Sequence, residues 1–400
     1  MRASKEYRSL PARFSLLLVA IVFAGISPLA VAADPLPVYF GGFAFLGDFN
    51  AKSKLYPHTA ALLDADSGKP SQYDRALQAK LKAFSNPTFA LELDTLGSLR
   101  PNSPSATALA FALDRETVSV ERIAGQYKLL IELSAQALFF DFKEVSVVAS
   151  FPVTIQYIDL TQHNPTAAEI QSTVRELYLG KLGVNVFDEF VGTLKNASLN
   201  PTASRRLRIT EVKIEEEARA DLPSSLKADA SALQTFIAQE FAKYLSKNQR
   251  VPVLPYVIDS AVGRSMAMRI SDGSVYNLKI PQEDYAIQLG LVKFKKVEFQ
   301  KTPAGASFIY GAFLHVKALE PSGGTVYLDA TIKNGATKII PIGQDVVDDW
   351  AAYQESLLAL IDKFTQQLSK PERDWVETHI GNKAMLDNMK TLGKVVQSCK

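Results

Sequence analysis

The chain reads as an α+β protein of two similar modules, each an antiparallel or mixed sheet with helices on one face, followed by a C-terminal helical tail. Three observations predict this: long period-two apolar alternation, amphipathic stripes at helical spacing, and a near-constant offset between like features of the two halves. Tyr127 opens an alternating segment in which Leu129, Ile131, Leu133, Ala135, Ala137 and Phe139 share a face. Tyr285 opens a second, with Ile287, Leu289 and Leu291 on one face. A turn and a further strand follow each, over 145–159 and 306–319.

The helical stripes come in matching places. Tyr73, Leu77, Leu81 and Phe84 define one, and Leu233, Phe236, Ile237, Phe241, Tyr244 and Leu245 its counterpart. Each leads into a short apolar run, 88–93 and 251–258. Closing helices carry Phe187, Phe190, Val191 and Leu194 in the first half. In the second they carry Val346, Trp350, Tyr353, Leu357, Ile361, Phe364 and Leu368. The offsets are 156 at the first helix, 158 at the tyrosines and 160 from Phe190 to Trp350, which predicts an internal duplication. Opening strands are expected over 38–45 and 208–214.

The halves diverge once. Thr166-x-x-Glu169 reads as a capping box opening a helix through Ala167, Ile170, Val174 and Leu177. The matching stretch, 325–340, alternates around Asn334-Gly335, a hairpin signal. A linker composition at 198–204 separates the halves. The expected organisation is a leader at 1–32, modules at 33–200 and 201–370, and the tail at 371–400.

The leader is a secretory signal. Arg2, Lys5, Arg8 and Arg13 precede an apolar run of 13 residues, 14–26, and Ala30-Val31-Ala32 supplies small residues for cleavage. A membrane span needs roughly 20 apolar residues, so this run predicts cleavage, and no later stretch predicts a transmembrane segment. The leader holds four of the 44 basic residues and one of the 42 acids, leaving 40 and 41 and a mature net charge of −1. A near-neutral surface gives no general attraction to nucleic acid. Cys399 is the one cysteine. It excludes an internal disulfide and reads as part of a frayed terminus, with pairing to another chain, and hence a homo-oligomer, left open. His58, His163, His315 and His379 are dispersed, so neither a metal nor a cofactor site is expected.

Several motifs invite a catalytic reading. Ser224-Ser225-Leu226-Lys227, Ser271-Asp272-Gly273 and Lys301-Thr302-Pro303 approximate the three motifs of the penicillin-recognising serine enzymes. Pro303 replaces the glycine the third motif needs, Ser224 suits an N-cap, and Ser271–Ser274 suits a hairpin turn, so chance matching is the expectation. Gly263-Arg264-Ser265-Met266-Ala267 lacks the last glycine of a nucleophile elbow. Gly41-Gly42 predicts a bulge rather than a phosphate loop. Glu215-Glu216-Glu217 and Asp348-Asp349 read as solvated faces, with Asp345, Asp348 and Asp349 favouring a helix start. Lys293-Phe294-Lys295-Lys296 and Lys301, interleaved with Phe294 and Phe299, read as a lysine-blocked edge strand.

No catalytic, cofactor-binding or metal-binding residue emerges. The expectation is a periplasmic or secreted protein of the cell envelope that acts by binding an envelope protein or small ligand. The alternative is a periplasmic hydrolase with a site of scattered residues between the modules. The strand–helix–meander–helix order resembles in outline the amino-terminal module of the Tol-system propeller protein and the curli-secretion lipoprotein.

Overall fold

The computed structural model describes residues 35–400 apart from 48, 67, 69, 94–105, 124, 181, 201–204, 224–225, 228–229, 258–264, 304 and 342–346. The expected leader, residues 201–204 of the linker, Ser224, Ser225, Gly263, Arg264, Asp345 and Val346 lie outside the described residues.

The described residues begin with β1 (Leu36–Leu46), then three short helices, α1 (Lys52–Leu55), α2 (Pro57–Asp64) and α3 (Gln72–Leu81). After β2 (Phe89–Glu92) comes a meander of long strands, β3 (Thr107–Ile123), β4 (Gln126–Asp141) and β5 (Ser146–Thr161). Helices α4 (Ala167–Leu179) and α5 (Val186–Asn196) close this half. The Thr166 hydroxyl takes the Glu169 N–H while the Glu169 carboxylate takes the Thr166 N–H, completing the expected capping box. Leu109, Phe111 and Leu113 of β3 face the helices, where Phe111 meets Phe187 and Phe190 edge-on.

The second half opens with β6 (Leu207–Ile214), α6 (Glu216–Ala220) and α7 (Ala230–Gln249). A short hairpin follows, β7 (Ser265–Ile270) and β8 (Val275–Lys279), then the meander β9 (Tyr285–Thr302), β10 (Gly305–Leu319) and β11 (Val326–Pro341). It ends with α8 (Asp349–Gln367), α9 (Arg373–Ile380) and α10 (Met385–Gln397). The fold is α+β, as expected. Both sheets are mixed. β1 runs parallel to β3 beside β4 and β5, and β6 runs parallel to β9 beside β10 and β11.

The hairpin β7–β8 joins the first sheet rather than the second. β7 pairs antiparallel with the end of β1, and β8 meets β5 at Ser146, so the seven-stranded sheet curls back on itself. The enclosed face explains the sequence of β3. Its alternate residues Ala108, Ala110 and Ala112 are small, which leaves room for Met266, Met268 and Ile270 of the hairpin. Residues within 201–370 thus complete the sheet of the first half.

Several expectations need correction. Tyr127 lies at the start of β4, the second strand of its meander, whereas Tyr285 opens β9, the first of its own. Asn334-Gly335 is not a turn. Both lie inside β11, where Gly335 faces Gly311, and a Cβ there would stand 2.9 Å from Ile309 Cγ2. The reversal is made at Gly324, whose φ of +67° and N–H to the Glu320 carbonyl form the turn. Residues 251–257 of the expected run form no strand; Leu254 alone bridges to Arg208. Lys293–Lys296 lies in β9 beyond Leu291, where the pairing with β6 ends, so this stretch is an edge as expected, but Phe294 within it is buried against Tyr353. Trp350 is half-buried, edge-on to Phe294. Asp348 and Asp349 are not merely solvated: Asp348 caps α8, and Asp349 accepts from Lys296 and the Tyr310 hydroxyl. Cys399 does not fray. It is 1% exposed, packed in the second core, and burial pushes its thiol up to about 12.

The tail packs on the second half. Met389, Leu392 and Val396 join its core. His379 and Asn388 contact the Lys333 and Tyr327 carbonyls of β11, covering the sheet edge that would otherwise be open.

Candidate binding cavity and the polar layer between the sheets

Where the hairpin meets the first half, the structure leaves a cavity of about 580 Å³. Its frame is Asp74, at the start of α3. One carboxylate oxygen accepts the Phe43 N–H at 3.0 Å, and the other accepts the Ser71 and Ser271 hydroxyls at 2.7 and 2.8 Å. Three segments distant in sequence are therefore tied at one buried group. The β1 bulge at Gly41-Gly42, expected from the glycine doublet, makes this possible. Gly42 has φ +92°, and a Cβ there would stand 3.2 Å from Asp74 Oδ1.

The cavity wall is aromatic and cationic. The Arg269 guanidinium lies 4.4 Å from the centre of the Phe49 ring, and Lys52 Nζ lies 5.1 Å from it. Phe45 and Leu63 extend the apolar surface. Lys52 is paired with Asp64 at 2.5 Å. Asp66 accepts the Gly68 and Gln72 N–H groups, and these hold its carboxyl below the usual range, the Gln72 bond most strongly. Arg269 has no ion pair among the described residues. The wall thus offers a cation on an aromatic bed, beside four acids: Asp64, Asp66 and Asp74, engaged as described, and Asp272, which accepts the Ser274 N–H. That arrangement suits an anion carrying an apolar body.

A second polar assembly separates the sheets. α7 lies between them, with Ile237 and Phe241 in the second core and Gln239 and Glu240 turned to the first sheet. Gln239 Nε2 donates to Asp114, and Ser150 Oγ donates to Gln136 at 2.6 Å. Glu132 accepts from Gln156 Nε2 at 2.7 Å and from Ser134 Oγ at 3.4 Å. Burial pushes the Glu132 carboxyl from 4.5 up to about 7; the nearby Glu240 charge adds to this, and the Gln156 bond and Lys243 oppose it. Burial likewise raises Asp114. Glu240 is held by Lys243 at 3.0 Å. Lys128 and Asp348 form a further pair across the sheets at 2.5 Å. Two smaller or more open hollows exist, about 340 Å³ beside Arg205 and Cys399 and about 770 Å³ along α10.

Among the described residues, the motif positions considered for catalysis are not brought together. Ser271 sits in the β7–β8 turn on Asp74, Lys227 donates to the Ala220 carbonyl, and Lys301 lies at the far end of β9. Sequence reasoning missed Asp74, Arg269 and Phe49 as partners, because nothing in their spacing marks a shared site. The Gly41-Gly42 doublet was the available pointer.

No family model matches the chain, and no curated protein matches it. Solved structures overlap part of it, among them the following three. A neuraminyllactose-binding hemagglutinin homologue from Helicobacter pylori is 11% identical with a TM-score of 0.26, covering 48% of this chain and 91% of that one. A DUF330 protein of Xanthomonas campestris is 11% identical with a TM-score of 0.21, covering 43% and 87%. A minor lipoprotein of Acinetobacter baumannii is 8% identical with a TM-score of 0.20, covering 44% and 96%. No helix among the described residues is long and apolar enough to cross a membrane.

Proposed function

We propose that this chain is exported through its 1–32 leader and serves the bacterial cell envelope as a binding or accessory protein, holding a small amphiphilic anion in the 580 Å³ cavity. The observation that carries this reading is Arg269, set 4.4 Å over Phe49 on a wall whose acids are already engaged. The anionic group meets the guanidinium and the apolar body lies along Phe45, Phe49 and Leu63. Because β1, α1–α3 and the β7–β8 turn all line the cavity, occupancy bridges the two halves of the chain.

Titration with 1-anilinonaphthalene-8-sulfonate, an apolar anion, tests this reading. Wild type is expected to bind one equivalent in its folded state. Arg269→Gln removes the cation and Leu63→Trp fills the space; each should weaken binding roughly tenfold, the size of one charge-assisted contact. Unchanged binding by both variants, with unchanged thermal unfolding, overturns the proposal.

A further inference from the structure

Sheets of the two halves differ in how they are covered. The first is buried on both faces around Thr107–Leu113, though the far ends of its long strands expose Ile158 and Leu160, whereas β9–β11 bury only the face toward α7 and α8. Beyond Leu291, where β6 ends, these three strands continue as an arm. Its outer face reads in rows. Lys293 and Lys333 flank Phe313; Lys295 stands beside Gly311 and Gly335; Val297 and Thr337 flank Ile309; Ile339 lies past them opposite Ser307. Phe299 occupies a bulge at the same end.

Lys301 stands at the tip of this arm, opposite Ala306, and the other lysines of its outer face lie behind an apolar cluster. The end carries Phe299, 67% exposed, Ile339, 78% exposed, and Val297, 42% exposed. Over 293–302, 305–313 and 333–341 there are six lysines and one acid, Glu298. Lys293 is held by Glu217, whereas Lys295 and Lys333 form no ion pair among the described residues. Large apolar side chains left in water at a strand end, with Lys295 two rows and Lys333 three rows behind Ile339, match the depth profile of a bilayer interface. There apolar groups enter the acyl boundary and lysines meet the headgroups.

We propose that the β9–β11 arm docks on an anionic phospholipid surface, with Phe299 and Ile339 inserting and Lys295 and Lys333 on the headgroups. Charge complementarity selects this occupant. A second copy would bring an equally lysine-rich arm against the first, and lysines on a strand edge oppose such pairing. This site is separate from the cavity, so either proposal stands without the other.

Flotation of the mature protein with phosphatidylcholine vesicles, with and without phosphatidylglycerol, provides the test. Binding is expected only to the vesicles with phosphatidylglycerol, and to fall in high salt. Phe299→Ser with Ile339→Ser, and separately Lys295→Glu with Lys333→Glu, should each weaken it roughly tenfold or more, since each lysine near an anionic surface contributes about a factor of five. These side chains are exposed, so thermal unfolding should stay at the wild-type value and separate docking from folding. Failure to bind either vesicle, equal binding to both, wild-type binding by both variants, or sedimentation showing arm-dependent dimers in place of vesicle binding overturns the proposal.

Discussion

Replacing Glu132 with glutamine should stabilise the protein at alkaline pH and leave it unchanged in acid. Glu132 is buried between the sheets, and its carboxyl is pushed from 4.5 to about 7, chiefly by desolvation. In the unfolded chain the group ionises near its ordinary value; in the folded chain it keeps its proton until about pH 7. The folded state therefore binds more protons across that window, and stability is highest below it and falls as pH rises through it. The shift corresponds to about 3 kcal/mol at 1.36 kcal/mol for each pH unit of displacement. Glutamine has the shape of the protonated acid and can still accept from Gln156, whose bond is 2.7 Å. Urea denaturation of wild type and Glu132→Gln, from about pH 4 to about pH 8, reads the effect. The two stabilities should coincide in acid and diverge by up to about 3 kcal/mol in favour of the variant at alkaline pH. Asp114 adds a slope of the same sign to both proteins, so the difference between them isolates Glu132. A variant that is less stable at about pH 8, or keeps the wild-type slope, refutes the reasoning.

Three further outcomes are expected. Mass spectrometry of the exported protein should place its amino terminus at Ala33 or Asp34, and a membrane-held chain beginning at Met1 would contradict the leader assignment. Asp74→Ala strands the Phe43 N–H and frees Ser71 and Ser271; it should cost about 2–3 kcal/mol in denaturant and abolish binding of the naphthalene sulfonate, while a wild-type midpoint argues against the framing role. Cys399, with a thiol pushed up to about 12 by burial, should resist iodoacetamide in the native protein and react on unfolding; rapid native labelling would count against the packed tail.

Much of the fold was legible because it rests on local rules. The box at Thr166 and Glu169, the turn at Ser271–Ser274, the bulge at Gly41-Gly42 and the alternation of β4 each follow from neighbours in sequence. β3 was missed for a physical reason. Its Thr107–Leu113 stretch is buried on both faces, so it lacks the polar alternation that marks a half-wet strand. Without it, Tyr127 and Tyr285 look alike in sequence although they stand on different strands of their meanders. The destination of β7–β8 was hidden because six and five residues carry too little pattern to say which sheet edge they will close. Asn334-Gly335 misled because glycine serves close approach as well as turns, and here Gly311 lies opposite. The cavity was hidden more deeply: Phe49, Asp74 and Arg269 meet only after the hairpin crosses to the first sheet. Glu132 likewise stood on an alternating strand as an ordinary outward residue until α7 covered it.

A crystal structure of the wild-type protein with 1-anilinonaphthalene-8-sulfonate tests the central claim most directly. The sulfonate is expected within hydrogen-bonding distance of the Arg269 guanidinium and the ring system against Phe49 and Leu63, with the Asp74 bonds to Phe43, Ser71 and Ser271 intact. A probe seated elsewhere on the molecule, with the space between Phe49 and Gly42 left empty, would contradict it.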